Sequence, residues 1–262
     1  MTSKRKQTKK DNNRESAPST EITLSGSDAI SVLERGEVIG GYRLPWGSNY
    51  TFLVHLDAGE DQHIKAIYKP RDGERPLHDY PTGTLYRRER AAFLLSSILG
   101  WPNIPHTIVR DGPYGLGSMQ LFIESNPEIT YFDLRENMLA EFETFAVFDV
   151  IANNGDRKGG HCLLDNDGSL WSIDHGLTFH RAFKMRTVML EYWGKTISEN
   201  IANDLKSLIQ KDTLPHNNLR ETFSTLLSTG EIDALLKRVE IIVDKREIPI
   251  MDPSRDVPWP YI

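Results

Sequence analysis

The chain has a single cysteine among its 262 residues, Cys162, and so it cannot form an internal disulfide. That usage is typical of a reducing compartment and predicts a cytoplasmic location. The sequence also lacks any stretch close to the roughly 18–20 apolar residues that a membrane-spanning helix needs. Its basic N-terminus is not followed by the apolar run of a signal peptide. We therefore expect no transmembrane segment, while peripheral contact with a membrane surface stays open.

The body of the chain also lacks a basic stripe. Residues 1–24 carry a net charge of +3 and almost no apolar side chains, which predicts a disordered basic leader. The remaining residues carry −9, and such an acidic body argues against nucleic acid as the main partner. With 39% hydrophobic and 26% charged residues overall, the length allows one large domain or two lobes around a cleft.

The hydrophobic patterning changes along the chain, and there is no internal repeat. Strand patterns separated by turns, with one helix over 84–99, fill the first half. A long apolar helix over 135–154 and three further helical patterns dominate the second half. This order predicts an α+β protein with a β-rich N-lobe over 25–125 and a helical C-lobe over 126–262.

The most informative segment is NNGDRKGGHCLLDNDGSLWSIDHGLTF, residues 153–179. Two apolar runs flank Asp-Asn-Asp-Gly, which predicts a β-hairpin that brings His161 roughly opposite Asp174, with Asp156 just before its first strand. Two carboxylates and a further ligand can hold a divalent ion and orient a hydroxyl for phosphoryl transfer, and Lys69 on a strand of the other lobe could contact the phosphates. A turn-rich surface loop accounts for the hairpin alone equally well.

The residues from Phe148 to Phe179 resemble the catalytic and metal-binding segments of the phosphatidylinositol 3-/4-kinase superfamily. The similarity is closest to type II phosphatidylinositol 4-kinases and their bacterial relatives and more distant to HipA-type protein kinases. Those families have an Asp-Arg pair, a metal-ligand Asn five residues after the Asp, and then Ile-Asp-Xaa-Gly. The resemblance covers residues 38–180. It implies a two-lobed protein-kinase-like fold that uses ATP with Mg²⁺ or Mn²⁺.

The resemblance also implies roles for the matching positions. Asp156 would orient or deprotonate the acceptor, and Arg157 would contact the substrate or brace the catalytic loop. Asp174 would hold the metal together with His161, which stands where the related kinases have Asn. The residues implied to contact the nucleotide are Lys69 with its partner Glu89, Ser48 and Asn49 in the turn over the phosphates, and Gln120, Leu121, Phe122 and Ile123 at the adenine hinge.

Several alternatives stay open at this stage. Because imidazole suits Mn²⁺ better than Mg²⁺, His161 predicts either a Mn²⁺ preference or a pseudokinase that binds nucleotide as a regulatory module. Nucleotidyl transfer is a third reading of the same motifs. Lys65 lies on the same strand face as Lys69 and competes with it, but Lys65 lacks the following proline. Ser48 and Asn49 could simply cap their turn.

The acceptor is not specified by the sequence. A lipid, a protein Ser or Thr, and a small molecule are all compatible with the motifs. Three basic residues after the metal motif, Arg181, Lys184 and Arg186, could meet an anionic headgroup or could be solvated surface charges.

Overall fold

A computed structural model of the chain describes residues 20–24, 26–45, 47–212 and 219–262. Its architecture is α+β, and its elements follow the order predicted from the sequence. The first half holds six strands and two helices: β1 (Thr20–Glu21), α1 (Gly26–Arg35), β2 (Val38–Arg43), β3 (Phe52–Gly59), β4 (Gln62–Pro70), α2 (Leu85–Leu99), β5 (Thr107–Gly112) and β6 (Gly115–Leu121).

The second half is mainly helical, with one hairpin. Its long apolar helix begins at Leu139, later than predicted, because residues 135–137 form a turn that separates it from a short helix. The elements are α3 (Tyr131–Leu134), α4 (Leu139–Ala152), β7 (Cys162–Leu164), β8 (Leu170–Ser172), α5 (Glu199–Asp212), α6 (Leu219–Phe223) and α7 (Thr229–Lys245).

The six-stranded sheet positions the first lobe's charged side chains. Its order is β2-β3-β4-β6-β5, with antiparallel neighbours, and β1 pairs in parallel with the start of β4. Ile64, Ala66 and Tyr68 of β4 are buried against α1, on the face opposite the one on which the sequence placed Lys65 and Lys69. Successive side chains of a strand point to opposite faces, so Lys65 and Lys69 lie on the other face, toward the cleft.

The predicted leader, residues 1–24, overlaps the described part of the chain at residues 20–24. Residues 20–24 are ordered, because Thr20 and Glu21 pair with β4 and the side chains of Ile22 and Leu24 pack on the sheet core. The prediction of disorder through residue 24 is therefore wrong for these five residues, whose alternating apolar side chains fit a short edge strand. Residues 1–19 lie outside the described part of the chain.

Helix α4 forms the centre of the second lobe. The last eight positions of α4, 145–152, are all buried, and α4 packs against α7. The helix ends at Ala152, and Asn153 follows in a left-handed conformation with φ 53°. The loop that contains Asp156 follows directly after this helix end. Among the described residues, no helix has the length and apolar character needed to cross a bilayer.

Candidate active site

Lys69 lies at the centre of an ion network that joins the two lobes. Its Nζ donates to Asp174 Oδ1 at 2.8 Å and also bonds to Glu89 of α2. Lys65, the rival on the same strand face, is paired elsewhere, with Glu124 at 2.5 Å and Glu21 at 2.8 Å. The structure thus brings Lys69 together with Glu89 and Asp174, two of the carboxylates that the sequence analysis named.

Glu89 is the buried anchor of this network, with 3% of its surface exposed. Its second oxygen accepts a hydrogen bond from the backbone N–H of His175 at 3.0 Å. Burial alone would lower the pKa of Lys69, but Asp174 and Glu89 together raise it above its usual value. In return, Lys69 holds the pKa of Asp174 well below its usual range, so both groups are charged at neutral pH.

The hairpin forms with a register one residue from the predicted one. Leu164 pairs with Leu170, and the His161 carbonyl accepts from the Ile173 N–H at 3.0 Å, so His161 stands opposite Ile173 instead of Asp174. Asp174 then adopts a left-handed conformation with φ 61°. Its side chain still meets His161, with Nε2 3.4 Å from Oδ2.

His161 and Asp174 are the candidate pair of ligands for a divalent ion, which would draw its other ligands from elsewhere. Burial lowers the pKa of His161 to about 4, so the ring is neutral, as a metal ligand must be. The Lys158 N–H donates to Nδ1 at 3.4 Å, which puts the ring proton on Nε2, facing Asp174. The described residues hold no group of three or more His, Cys, Asp or Glu around one point. Phosphate and water oxygens commonly complete such a shell for Mg²⁺.

Asp156 lies in quite different surroundings. Its backbone N–H donates to the Asn154 side chain at 3.1 Å, and Lys158 Nζ approaches its carboxylate at 3.4 Å. Burial and the nearby Asp174 raise the pKa of Asp156 to about 6, although Lys158 opposes the shift. A carboxylate with a pKa near neutrality that remains partly exposed is suited to accept a proton from a hydroxyl.

Arg157 braces this loop and does not reach the cleft. It is fully buried and forms a two-pronged ion pair with Asp149 of α4, at 2.8 and 2.9 Å. It also donates to the carbonyls of His161 and Ile173, at 3.2 and 3.3 Å. Contact between Arg157 and a substrate is excluded by this burial, so the bracing alternative stands and its assignment as a catalytic residue is corrected.

The predicted phosphate turn lies beside the end of β4. The Tyr50 N–H donates to the Gly73 carbonyl at 2.9 Å, which joins the turn to the loop after Lys69. Asn49 Oδ1 accepts from the Arg75 N–H at 2.7 Å, so that oxygen is occupied by a contact with the loop after β4 and not by its own turn. Ser48 is exposed.

The predicted hinge, residues 120–123, spans the last two residues of β6 and the two residues after it. The Gln120 side chain is buried and donates to Thr107 Oγ1 at 2.7 Å, so it cannot contact a nucleotide. The backbone N–H of Leu121 donates to the His106 carbonyl at 2.9 Å, and that of Phe122 donates to the Lys65 carbonyl at 3.2 Å. Ile123 comes directly after these bonded positions and is half-buried.

Sequence reasoning missed two residues that shape the loop. Asn153, and not Asn154, ends α4 in the left-handed conformation, and its side chain donates to the carbonyls of His180 and Ala182, each at 2.7 Å. The Asn-Asn pair after a long helix was the available signal. Lys158 was overlooked because a single lysine in a glycine-rich loop carries no pattern.

The fold has clear relatives among solved structures. It superposes on the Golgi casein kinase with Mn/ADP bound with a TM-score of 0.55 at 14% identity, covering 88% of this chain and 77% of that one. This likeness defines the class, a two-lobed kinase-like fold.

Sequence comparison gives the family. The model for phosphatidylinositol 3- and 4-kinase matches residues 99–231. Protein Rv2133c of Mycobacterium tuberculosis is 34% identical over 268 aligned residues, which cover 89% of this chain and 95% of that protein. The chain belongs to the phosphatidylinositol 3- and 4-kinase family.

A plant relative matches over a shorter region. Phosphatidylinositol 4-kinase gamma 4 of Oryza sativa subsp. japonica is 27% identical over 183 residues, which cover 56% of this chain and 32% of the plant protein. Family and fold together support a phosphotransferase.

Proposed function

We propose that the chain is an ATP- and divalent-metal-dependent phosphotransferase that moves the γ-phosphoryl group to an alcohol. The observation that carries this proposal is the contact of Lys69 with both Glu89 and Asp174. A lysine held between a buried carboxylate and a half-exposed one is poised to contact nucleotide phosphates without losing its orientation. The Mn/ADP bound to the similar Golgi casein kinase is in keeping with a nucleotide and a metal here.

Each residue of the site has a proposed part. Lys69 binds the nucleotide phosphates, and Asp174 with His161 holds Mg²⁺ or Mn²⁺, which neutralises phosphate charge when bound. Ser48 and the free amide of Asn49 contact phosphate oxygens from the turn. Ile123 binds adenine through its backbone, because Leu121 and Phe122 already use their N–H groups.

Asp156 receives the proton of the acceptor hydroxyl. Its oxygens face Lys158 at 3.4 Å, and its raised pKa gives it the basicity for that step near neutral pH. Arg157 keeps the loop in place by joining α4 to the hairpin. The exposed Arg186 contributes further positive charge near Asp156, so an acceptor that carries negative charge would be favoured.

The acceptor can be narrowed by experiment. The names of the relatives suggest two probes, vesicles that contain phosphatidylinositol and dephosphorylated casein. The purified chain is incubated with either probe, with Mg²⁺ or Mn²⁺, and with ATP labelled at the γ- or the α-phosphate. Label transferred from the γ-position supports the proposal. Label from the α-position indicates nucleotidyl transfer, and tight ADP binding without either label indicates a pseudokinase.

A further inference from the structure

The loop between β4 and α2 reaches across to the second lobe. It contacts the segment that follows Asp174, residues 177–187, which borders Asp156.

Asp79 makes two of the contacts. Its carboxylate accepts from Lys184 Nζ at 2.8 Å, with the two side chains 27% and 34% exposed. Its backbone carbonyl accepts from His180 Nε2 at 2.9 Å, while His180 Nδ1 accepts from the Ala182 N–H at 3.0 Å. Asp79 of the first lobe thus contacts the second lobe at two places, the Lys184 side chain and the turn that contains His180.

Tyr80 supplies the apolar part of the contact. It is 8% exposed, its ring meets the His180 ring edge to face at 5.1 Å, and the Arg88 guanidinium lies 4.9 Å from its centre. A Cβ on Gly155, the residue before Asp156, would lie 3.5 Å from the hydroxyl oxygen of Tyr80. Tyr80 therefore packs directly under the loop that carries Asp156.

Asn153 holds the same segment from the other side. Besides donating to the His180 and Ala182 carbonyls, its Oδ1 accepts from the Lys184 N–H at 2.8 Å. The segment is therefore gripped between Asn153 of the second lobe and Asp79 of the first.

The same segment contains Arg186, whose backbone bonds to the loop that carries Asp156. Its N–H donates to the Asn154 carbonyl at 2.9 Å and its carbonyl accepts from the Arg157 N–H at 3.0 Å. Arg157 and its bridge partner Thr187 point inward and are fully buried, so the preceding residues, Asp156 and Arg186, point outward on one face.

We propose that Asp79 and Tyr80 are positioning residues for the acceptor. Together they clamp residues 177–187 from the first lobe and hold Arg186 beside Asp156. This role deepens the proposed phosphotransferase function and rests on it, while the clamp itself is a property of the fold. Because the contacts of Asp79 and Tyr80 are with Lys184, His180 and Arg88 and not with the residues assigned to the nucleotide, loss of the clamp affects the acceptor and spares ADP.

Charge reversal provides the test. In Asp79→Lys and in Lys184→Asp, attraction becomes repulsion, and backbone amide exchange in residues 177–187 should accelerate about three- to tenfold, in keeping with a partly exposed ion pair. The double variant, Asp79→Lys with Lys184→Asp, restores an opposite-charge pair and should bring exchange back to within about twofold of the wild type. Glu240→Lys, which reverses the exposed pair with Lys237 on α7, is the matched control and should leave this segment unchanged.

Function is read in the same variants. Mn–ADP affinity should stay the same, while the KM for whichever probe the wild type phosphorylates, vesicle or casein, rises severalfold in the single variants and recovers in the double one. Unchanged exchange in both single variants, or a double variant that exchanges as fast as they do, would overturn the clamp. If the wild type phosphorylates neither probe, the phosphotransferase proposal loses its support, and the exchange data still decide the clamp.

Discussion

The loop that carries Asp156 and the turn that carries Asp174 shift the pKa of an aspartate side chain in opposite directions. Asp174 is half-exposed, and Lys69 holds its pKa well below the usual range. The Asp156 carboxylate is paired with the more distant Lys158, at 3.4 Å, and burial raises its pKa to about 6.

This difference assigns the proposed roles. A carboxylate that stays ionised suits a metal ligand, whereas one that titrates near neutrality suits a proton acceptor, and separate environments are how one site obtains both. The decisive feature is which lysine each carboxylate meets. Lys69 is fixed by Glu89, while Lys158 lies in a glycine-rich loop.

The largest expected effect separates the two carboxylates by function. Asp156→Asn should lower turnover about 10²- to 10⁴-fold, the range for loss of a general base, and should leave Mn–ADP affinity within about twofold. Asp174→Asn should instead weaken metal-dependent ADP binding. Calorimetric titration of ADP with and without Mn²⁺, beside single-turnover assays, measures both. If Asp156→Asn weakened ADP binding as strongly as Asp174→Asn, the division of roles would be lost.

The next effect tests which lysine serves the nucleotide. Lys69→Met should lower nucleotide affinity or turnover at least about tenfold, because the phosphates lose a charge that is held in place. Lys65→Met is the matched control, since it removes the same charge from the same strand face. Circular dichroism checks that both variants fold. Equal losses in the two variants would mean that the charge of the strand face matters and not the position of Lys69.

Hydrophobic patterns within a short stretch of sequence correctly predicted the strand that carries Lys69 and the helix that carries Glu89. The alternation of β4 placed Lys69 correctly, and the predicted helix over 84–99 matches α2, which ends where Gly100 takes φ 83°. Contacts between residues far apart leave no such pattern. Asp79 and Lys184 are 105 positions apart, and nothing near either residue indicates the other.

Arg157 illustrates the second limit. The Asp-Arg motif was visible, but the direction of its side chain depends on Asp149 one turn before the end of α4 and on carbonyls of the hairpin. The sequence left substrate contact and bracing both open for Arg157, and tertiary packing decided for bracing. Helix α1 was also missed, since only Ala29 and Leu33 of its ten residues are buried.

A third prediction concerns stability. Asp156→Asn and Asp174→Asn should change the free energy of unfolding in opposite directions. The pKa of Asp156 is raised on folding, so its ionised form destabilises the fold, increasingly from pH 4 to 6 and constantly above. Asp156→Asn should thus stabilise the chain by about 1 kcal/mol at pH 8, after allowance for partial exposure, and by almost nothing near pH 4. Asp174, with a lowered pKa, stabilises the fold at neutral pH, and Asp174→Asn should destabilise it.

Thermal melts without nucleotide, at several pH values, measure this contrast. A shift of a few degrees upward at pH 8 is expected for Asp156→Asn, since about 1 kcal/mol changes the melting temperature of a chain of this size by roughly 2–4 °C. Melting temperatures that fall equally in both variants would show that the two environments do not differ in the way described.

The smallest expected effect concerns the metal and the residue that meets Asp174. His161 can act as a ligand through Nε2 or can donate that nitrogen's proton to Asp174, 3.4 Å away. The Lys158 N–H on Nδ1 favours the donor form, and metal binding would require the ring proton to move to Nδ1. If His161 is a ligand, His161→Asn replaces nitrogen with oxygen, so the ratio of ADP affinities in Mn²⁺ and Mg²⁺ should fall about three- to tenfold. His161→Ala, which removes the ligand without replacing it, is the control and should weaken binding with both metals. An unchanged ratio in His161→Asn would leave the metal on Asp174 alone, with His161 acting only as its hydrogen-bond donor.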